Sequence, residues 1–160
     1  MADASDVLRF RSNSALKRPG KGAGERVADP SAYRSLPNDF RRQLSNFAVC
    51  DAPLVYEGLS YRTVEHAFQA AKIALASPDR AREFAIESES ALSQADGKTA
   101  QKERKMVTLK AEDLNVWEGK KRAVMEALWA LKFSQPRFRQ LLLDTGSAQL
   151  VHLSLIHISE

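Results

Sequence analysis

The sequence predicts an α+β fold, a mainly helical single domain with a small β-sheet or hairpin, and three stretches carry that prediction. Residues Thr63 to Lys72 space their polar side chains at a helical period, and Lys110 to Phe133 carry a longer helical pattern. Pro53 to Tyr61 read as two short strands turning at Glu57-Gly58, because aromatic and β-branched residues flank a glycine turn. With 160 residues and 44% hydrophobic content the chain is long enough to bury a core of its own without disulfides or a structural metal. Its one cysteine, Cys50, has no internal partner, which fits a reducing compartment. Acids among the first six residues, and no run near the roughly 18 apolar residues of a membrane span, predict a soluble protein, and a monomer is the expected state. Its expected location is cytoplasmic, with the nucleus as the alternative and no membrane partner. A net charge of +4 and a pI near 9.3 permit a phosphate-bearing ligand or nucleic acid without demanding either.

In chain order, residues 1–43 are expected to be a flexible basic arm, dispensable for chemistry. Val7 to Arg11 is its only strand-like run, and the basic, glycine-rich Lys17 to Gly24 breaks any periodicity. Two readings stand for the Lys17–Lys21 cluster, a solvated loop or a nuclear-localisation or nucleic-acid contact. Leu44-Ser45-Asn46-Phe47 opens the ordered region, followed by the hairpin, and Thr63 is placed to cap the helix after it. In that helix Glu65, Gln69 and Lys72 form one narrow polar stripe, while Val64, Ala67, Phe68, Ala71, Ala74 and Leu75 cover the opposite face. A carboxylate, an amide and an amine confined to one line of a mostly apolar helix suggest a pocket wall. A surface stripe is the plainer alternative, and Glu65 in the first turn also suits the helix dipole.

Ser77-Pro78-Asp79 ends this helix and starts another that buries Ala81, Phe84 and Ala85 or Ile86. Lys98, Lys102, Arg104 and Lys105 follow the turn at Asp96-Gly97, read either as a solvated face or as a phosphate contact. The long helix shows Leu114, Trp117, Val124, Met125, Leu128 and Leu131 as its apolar face, with Lys121 and Lys132 inside the same sector. Lysines there either snorkel outward or meet an anionic partner. Ser134-Gln135-Pro136 breaks the helix, Arg137 to Leu143 makes another, and Gly146 sits where a C-terminal glycine stops it. Repeats, heptads, metal-ligand spacings, nucleophile elbows and phosphate-binding glycine loops do not occur, so no metal and no cofactor are expected.

With these pieces in order, the chain resembles the NADAR family, which includes YbiA-like proteins, from Leu44 to about Leu150. The blocks that carry the resemblance are Leu44 to Phe47, Gly58 with Tyr61, Thr63 to Lys72, Trp117 with Met125, Lys132-Phe133, and Leu141 to Gly146. The resemblance implies a compact α+β domain over residues 44–152 and hydrolysis of N-glycosidic bonds. One branch acts on phosphoribosylated intermediates of riboflavin synthesis, and another removes ADP-ribose from guanine bases in nucleic acid. The run Thr145-Gly146 with Ala148-Gln149-Leu150 and His152 is closer to the second branch. After His152 the sequence departs from the family pattern, so the domain is expected to be C-terminally truncated, with a foreign tail at 153–160.

On the family pattern Lys72 is the covalent nucleophile, Glu65 the acid/base residue, and Gln69 positions the sugar. Breaking an N-glycosidic bond leaves positive charge at the ribose C1 and needs a proton on the departing base, tasks for a carboxylate and an amine. A carboxylate beside Lys72 favours the ammonium while burial favours the free amine that attacks, and the sequence leaves both open. Phe47 and Trp117 are candidates to stack on a base, and Lys121 and Lys132 to pair with diphosphate. Asn46 and His152 complete the expected substrate contacts. For both aromatics core packing is the alternative. The same pocket would also serve a non-catalytic module that binds ADP-ribose or a nucleotide.

Overall fold

The computed structural model describes residues 3–153 and has the expected α+β class. In chain order the elements are β1 (Val7–Phe10), α1 (Phe40–Leu44), the strands β2 (Leu54–Tyr56) and β3 (Leu59–Tyr61), and α2 (Val64–Ile73). Then come α3 (Pro78–Arg82), α4 (Ala91–Gln94), α5 (Gly97–Lys102), α6 (Ala111–Phe133), α7 (Pro136–Asp144) and β4 (Gln149–His152). The described residues fall into two compact units, one from 3–45 with 136–153 and one from 46–135. No helix is long and apolar enough to cross a membrane among the described residues.

The first unit corrects the expectation of a flexible arm over residues 1–43. The strand-like run at Val7 pairs in parallel with β4, Leu8 opposite Leu150 and Phe10 opposite His152, and Leu8 is fully buried. Leu153, the first residue of the expected foreign tail, continues the ladder with its N–H 2.8 Å from the Phe10 carbonyl; residues 154–160 lie outside the described residues. The basic loop is organised by one acid that composition alone does not single out. The Glu25 carboxylate accepts the backbone N–H groups of Arg9, Gly20 and Gly22 at 3.0, 3.0 and 3.1 Å. It also accepts Arg41 Nε and Nη2 at 2.8 and 2.6 Å. Arg41, itself buried, donates onward to the Lys17 and Arg18 carbonyls at 2.5 and 2.9 Å. Burial raises the cost of the Glu25 charge, but the Arg41 bond and charge and the Arg9 and Gly22 N–H groups outweigh it and hold the carboxyl below its ordinary range. Tyr33 and Phe40 are buried in this unit. Tyr33 donates its hydroxyl to Asp6 at 2.5 Å. α1 packs on α7, and α7 stops at the expected glycine, Gly146, with φ at 58°.

The second unit is built around α2. Its hairpin turns with φ of 52° at Glu57 and 81° at Gly58, the two positive values of a type I′ turn that matches strand twist. Thr63 caps α2 as expected, its hydroxyl oxygen accepting His66 N–H at 3.1 Å. The same hydroxyl lies 2.8 Å from His66 Nδ1, while His66 Nε2 lies 2.9 Å from the Leu92 carbonyl. A carbonyl only accepts, so Nε2 carries the proton and Nδ1 accepts from Thr63. His66 is therefore a neutral, satisfied core residue, and burial lowers its pKa. Val64, Ala67, Ala70 and Ile73 are buried as well, and these mostly small side chains let α3, α5 and α6 close on the helix. Beyond α3, Phe84 and Ala85 are buried with Ala81, as the sequence predicts. α6 spans the predicted residues but buries a narrower seam of Trp117, Val124, Leu128 and Lys132. Leu114, expected on the apolar face, is exposed.

Candidate active site

The polar stripe of α2 lies inside the second unit rather than on its surface. Glu65 is 4% exposed and Gln69 2% exposed, and Gln69 Nε2 donates to Glu65 Oε1 at 2.8 Å, one helical turn apart. Gln69 Oε1 is buried and has no hydrogen-bond partner among the described residues. Such an atom costs on the order of 1–3 kcal/mol, which a bound donor would recover. Burial raises the Glu65 pKa above its ordinary 4.5, against the Gln69 bond and the more distant positive charges of Arg104 and Lys72. A shift in this direction favours the protonated carboxyl, the form that general-acid work needs.

Lys72 ends the stripe half-buried. Among the described residues it makes no ion pair and no hydrogen bond through its amine, so it acts on Glu65 only through space. It lines a cleft of about 230 Å³, with Arg104 and Thr108 as the other polar wall and Val107, Leu109 and Leu114 as the apolar one. Arg104 is the residue that the sequence left unresolved among four neighbouring cations, and only the fold distinguishes it from Lys98, Lys102 and Lys105.

Asn46 supports the start of this helix. The Asn46 carbonyl accepts Glu65 N–H at 3.1 Å, satisfying a first-turn donor of α2. Asn46 Oδ1 accepts Trp129 Nε1–H at 2.8 Å. Its side-chain oxygen is thus used to tie α2 to α6, and Trp129, which sequence reasoning missed, remains 37% exposed. Phe47 is half-buried and is backed by Gly97, where a Cβ would lie 2.6 Å from the Phe47 Cα. Only glycine lets the start of α5 approach so closely.

Three of the expected residues do not line this cleft. Trp117 is 3% exposed and tilts against Phe68 with ring centroids 5.0 Å apart, so it belongs to the core and offers no open face for stacking. Lys121 is half-buried, and its ammonium pairs with Glu118 one turn back on the same helix at 2.9 Å. His152 lies on β4 in the first unit and stacks over Phe10 at 5.2 Å. Lys132 does not snorkel, being fully buried, with its ammonium 5.2 Å from the Phe133 ring centroid. Of the expected residues the structure thus brings Glu65, Gln69 and Lys72 onto one helix, with Asn46 bracing its start.

Among known families, the profile of the NADAR domain matches residues 34–156, past the break expected at His152. No curated protein and no solved structure matches the chain.

Proposed function

Because the chain belongs to the NADAR domain family, as the match over residues 34–156 shows, we propose that it removes ADP-ribose from ADP-ribosylated guanine bases in nucleic acid by hydrolysing the N-glycosidic bond. Membership suggests N-glycosidase-type activity in general, and the substrate and mechanism are the finer reading. The observation that carries it is the buried Glu65–Gln69 pair, one turn from a lysine that has no counter-ion among the described residues, at the edge of a cleft. Glu65, protonated, gives its proton to the departing base as the C1–N bond breaks. The Lys72 amine bonds to C1, ring opening yields an imine, and water releases the sugar and restores the amine. Gln69 Oε1, unpartnered among the described residues, accepts a sugar hydroxyl and holds the ring against Lys72.

The test is incubation with an ADP-ribosylated guanine oligonucleotide and, separately, a phosphoribosylated riboflavin-pathway intermediate, followed by chromatography of the products. Release of ADP-ribose from the oligonucleotide is expected. Release from the riboflavin intermediate alone would move the chain to the YbiA-like activity. Thermal stabilisation by ADP-ribose with no product from either substrate would make it a reader rather than an enzyme.

A further inference from the structure

The cleft beside Lys72 has a chemistry that the proposed mechanism does not use. Arg104 and Lys72 are both half-buried and both face its volume. Arg104 Nη1 donates to the Gln101 carbonyl at 3.0 Å, one turn back along the chain. Among the described residues that is its one hydrogen bond, and no carboxylate lies within ion-pair reach of either cation. Glu65 senses both charges but gives its hydrogen bond to Gln69. Two cations around one small volume repel each other and lose hydration, and that arrangement is relieved by an anion between them. An arginine anchored at one nitrogen keeps its remaining N–H donors as a planar fork, which suits the oxygens of a phosphate. The exposed Thr108 on the same wall adds a hydroxyl donor.

The volume narrows the ligand. About 230 Å³ is below the roughly 300–1,000 Å³ of cavities that enclose whole drug-sized ligands, and so it suits a sugar phosphate rather than a complete dinucleotide. The apolar side, Val107, Leu109 and Leu114, offers nothing to a second charged group.

We propose that this cleft seats the 5′-phosphate of a phosphorylated ribose, with Arg104 as the residue that binds the phosphate and thereby sets C1 against Lys72. The inference rests on the proposed role of Lys72 and Glu65 for its catalytic consequence, but the binding site itself does not. The phosphate is shared by ADP-ribose and by a ribose monophosphate, so Arg104 serves either source.

The experiment is calorimetric titration of the full chain with ribose, ribose 5-phosphate and ADP-ribose, using the wild type, Arg104→Gln, Arg104→Lys and Lys105→Gln. Lys105 is the exposed neighbour that does not line the cleft, so its variant removes the same charge without the contact. The wild type should bind ribose 5-phosphate at least about tenfold more tightly than ribose, the scale of one charge-assisted hydrogen-bonded contact. Arg104→Gln should lose that preference, Arg104→Lys should keep part of it, and Lys105→Gln should stay within about twofold of the wild type, as a distant screened charge does. Equal affinity of the wild type for ribose and ribose 5-phosphate would overturn the proposal. So would equal losses in Arg104→Gln and Lys105→Gln, which would show only diffuse attraction. Should Arg104→Gln fail to fold, Arg104→Lys with retained circular dichroism decides, and an unchanged phosphate preference with the weaker-forking lysine overturns the assignment. The relative affinity for ADP-ribose and ribose 5-phosphate then identifies the source. Arg104-dependent binding without release from any substrate would keep the cleft and defeat the hydrolase reading. Release with an unchanged KM in Arg104→Gln would do the reverse.

Discussion

At the scale of single residues, catalysis and stability place opposite demands on Glu65. Burial raises its carboxyl pKa above 4.5, so between 4.5 and the raised value the folded chain binds more protons than the unfolded one. The stability this gives is complete below 4.5 and is lost as pH rises through the folded pKa. Glu65→Gln removes the charge while keeping the shape, and it should therefore unfold at a higher temperature than the wild type at pH 7–8, with the gap closing on acidification. His66 acts in the other direction. Its pKa is lowered from 6.5 by burial, so stability is lost as pH falls below 6.5, and both variants should share that loss. Calorimetric scans across pH check the signs. The same Glu65→Gln substitution should slow glycosidic release by the 10²–10⁴-fold typical of a lost general acid, so a variant that is both more stable and as active as the wild type would remove Glu65 from the mechanism. Lys72 has a separate signature. Borohydride added during turnover should leave a mass adduct on the peptide containing Lys72. Lys72→Arg should abolish adduct and release together, because a guanidinium stays protonated and forms no imine. Wild-type turnover by Lys72→Arg would leave Glu65 acting through water as the better account.

At the scale of elements, what the sequence displayed was periodicity and capping. The hairpin turn at Glu57-Gly58, the Thr63 cap and the limits of α6 follow from local chemistry, and each is present. The burial of the polar stripe on α2 was legible too, because a helix of Val64, Ala67, Ala70 and Ile73 leaves no broad solvated face. The rotation of α6 was less so. Its moment is spread by Leu114, Val116 and Trp129, which are exposed, so apolar count misjudges which side packs on α2. Asn46 and Gly97 were unreadable for another reason: their roles are contacts with residues distant in the chain, Trp129 and Phe47. Trp117 gives the element-scale prediction. It is the large side chain by which α6 meets Phe68 of α2, and Trp117→Ala should cost on the order of 3–5 kcal/mol in urea unfolding. A cost below about 1 kcal/mol, the level of a surface change, would show that this seam does not hold α6.

At the scale of the whole molecule, the first unit is where composition misled most. A run of lysines, arginines and glycines reads as a solvated arm because its attractions are not local. Glu25 gathers Arg9, Gly20, Gly22 and Arg41, and β1 finds its partner β4 at the far end of the described chain. A parallel pair has no tight turn to announce it. The buried pair makes the segment testable at one atom. Glu25→Gln leaves the Arg41 guanidinium buried with its carboxylate removed, and breaking a buried pair from one side costs about 3–5 kcal/mol. Arg41→Met together with Glu25→Leu removes both charges but leaves the Arg9, Gly20 and Gly22 N–H groups and the Lys17 and Arg18 carbonyls without these partners, so it should recover only the part of the loss due to the unpaired charge. A chain beginning at residue 44 loses more, since β4 is left without β1 and α7 without α1. It should show a lower and broader unfolding transition than the intact chain. If residues 3–43 were the flexible appendage that their composition suggests, the truncated chain would unfold at the same midpoint and with the same slope, and Glu25→Gln would be neutral. A steep loss in both establishes that the N-terminal segment is part of the folded structure, and that activity lost on its removal reports stability before it reports a lost substrate contact.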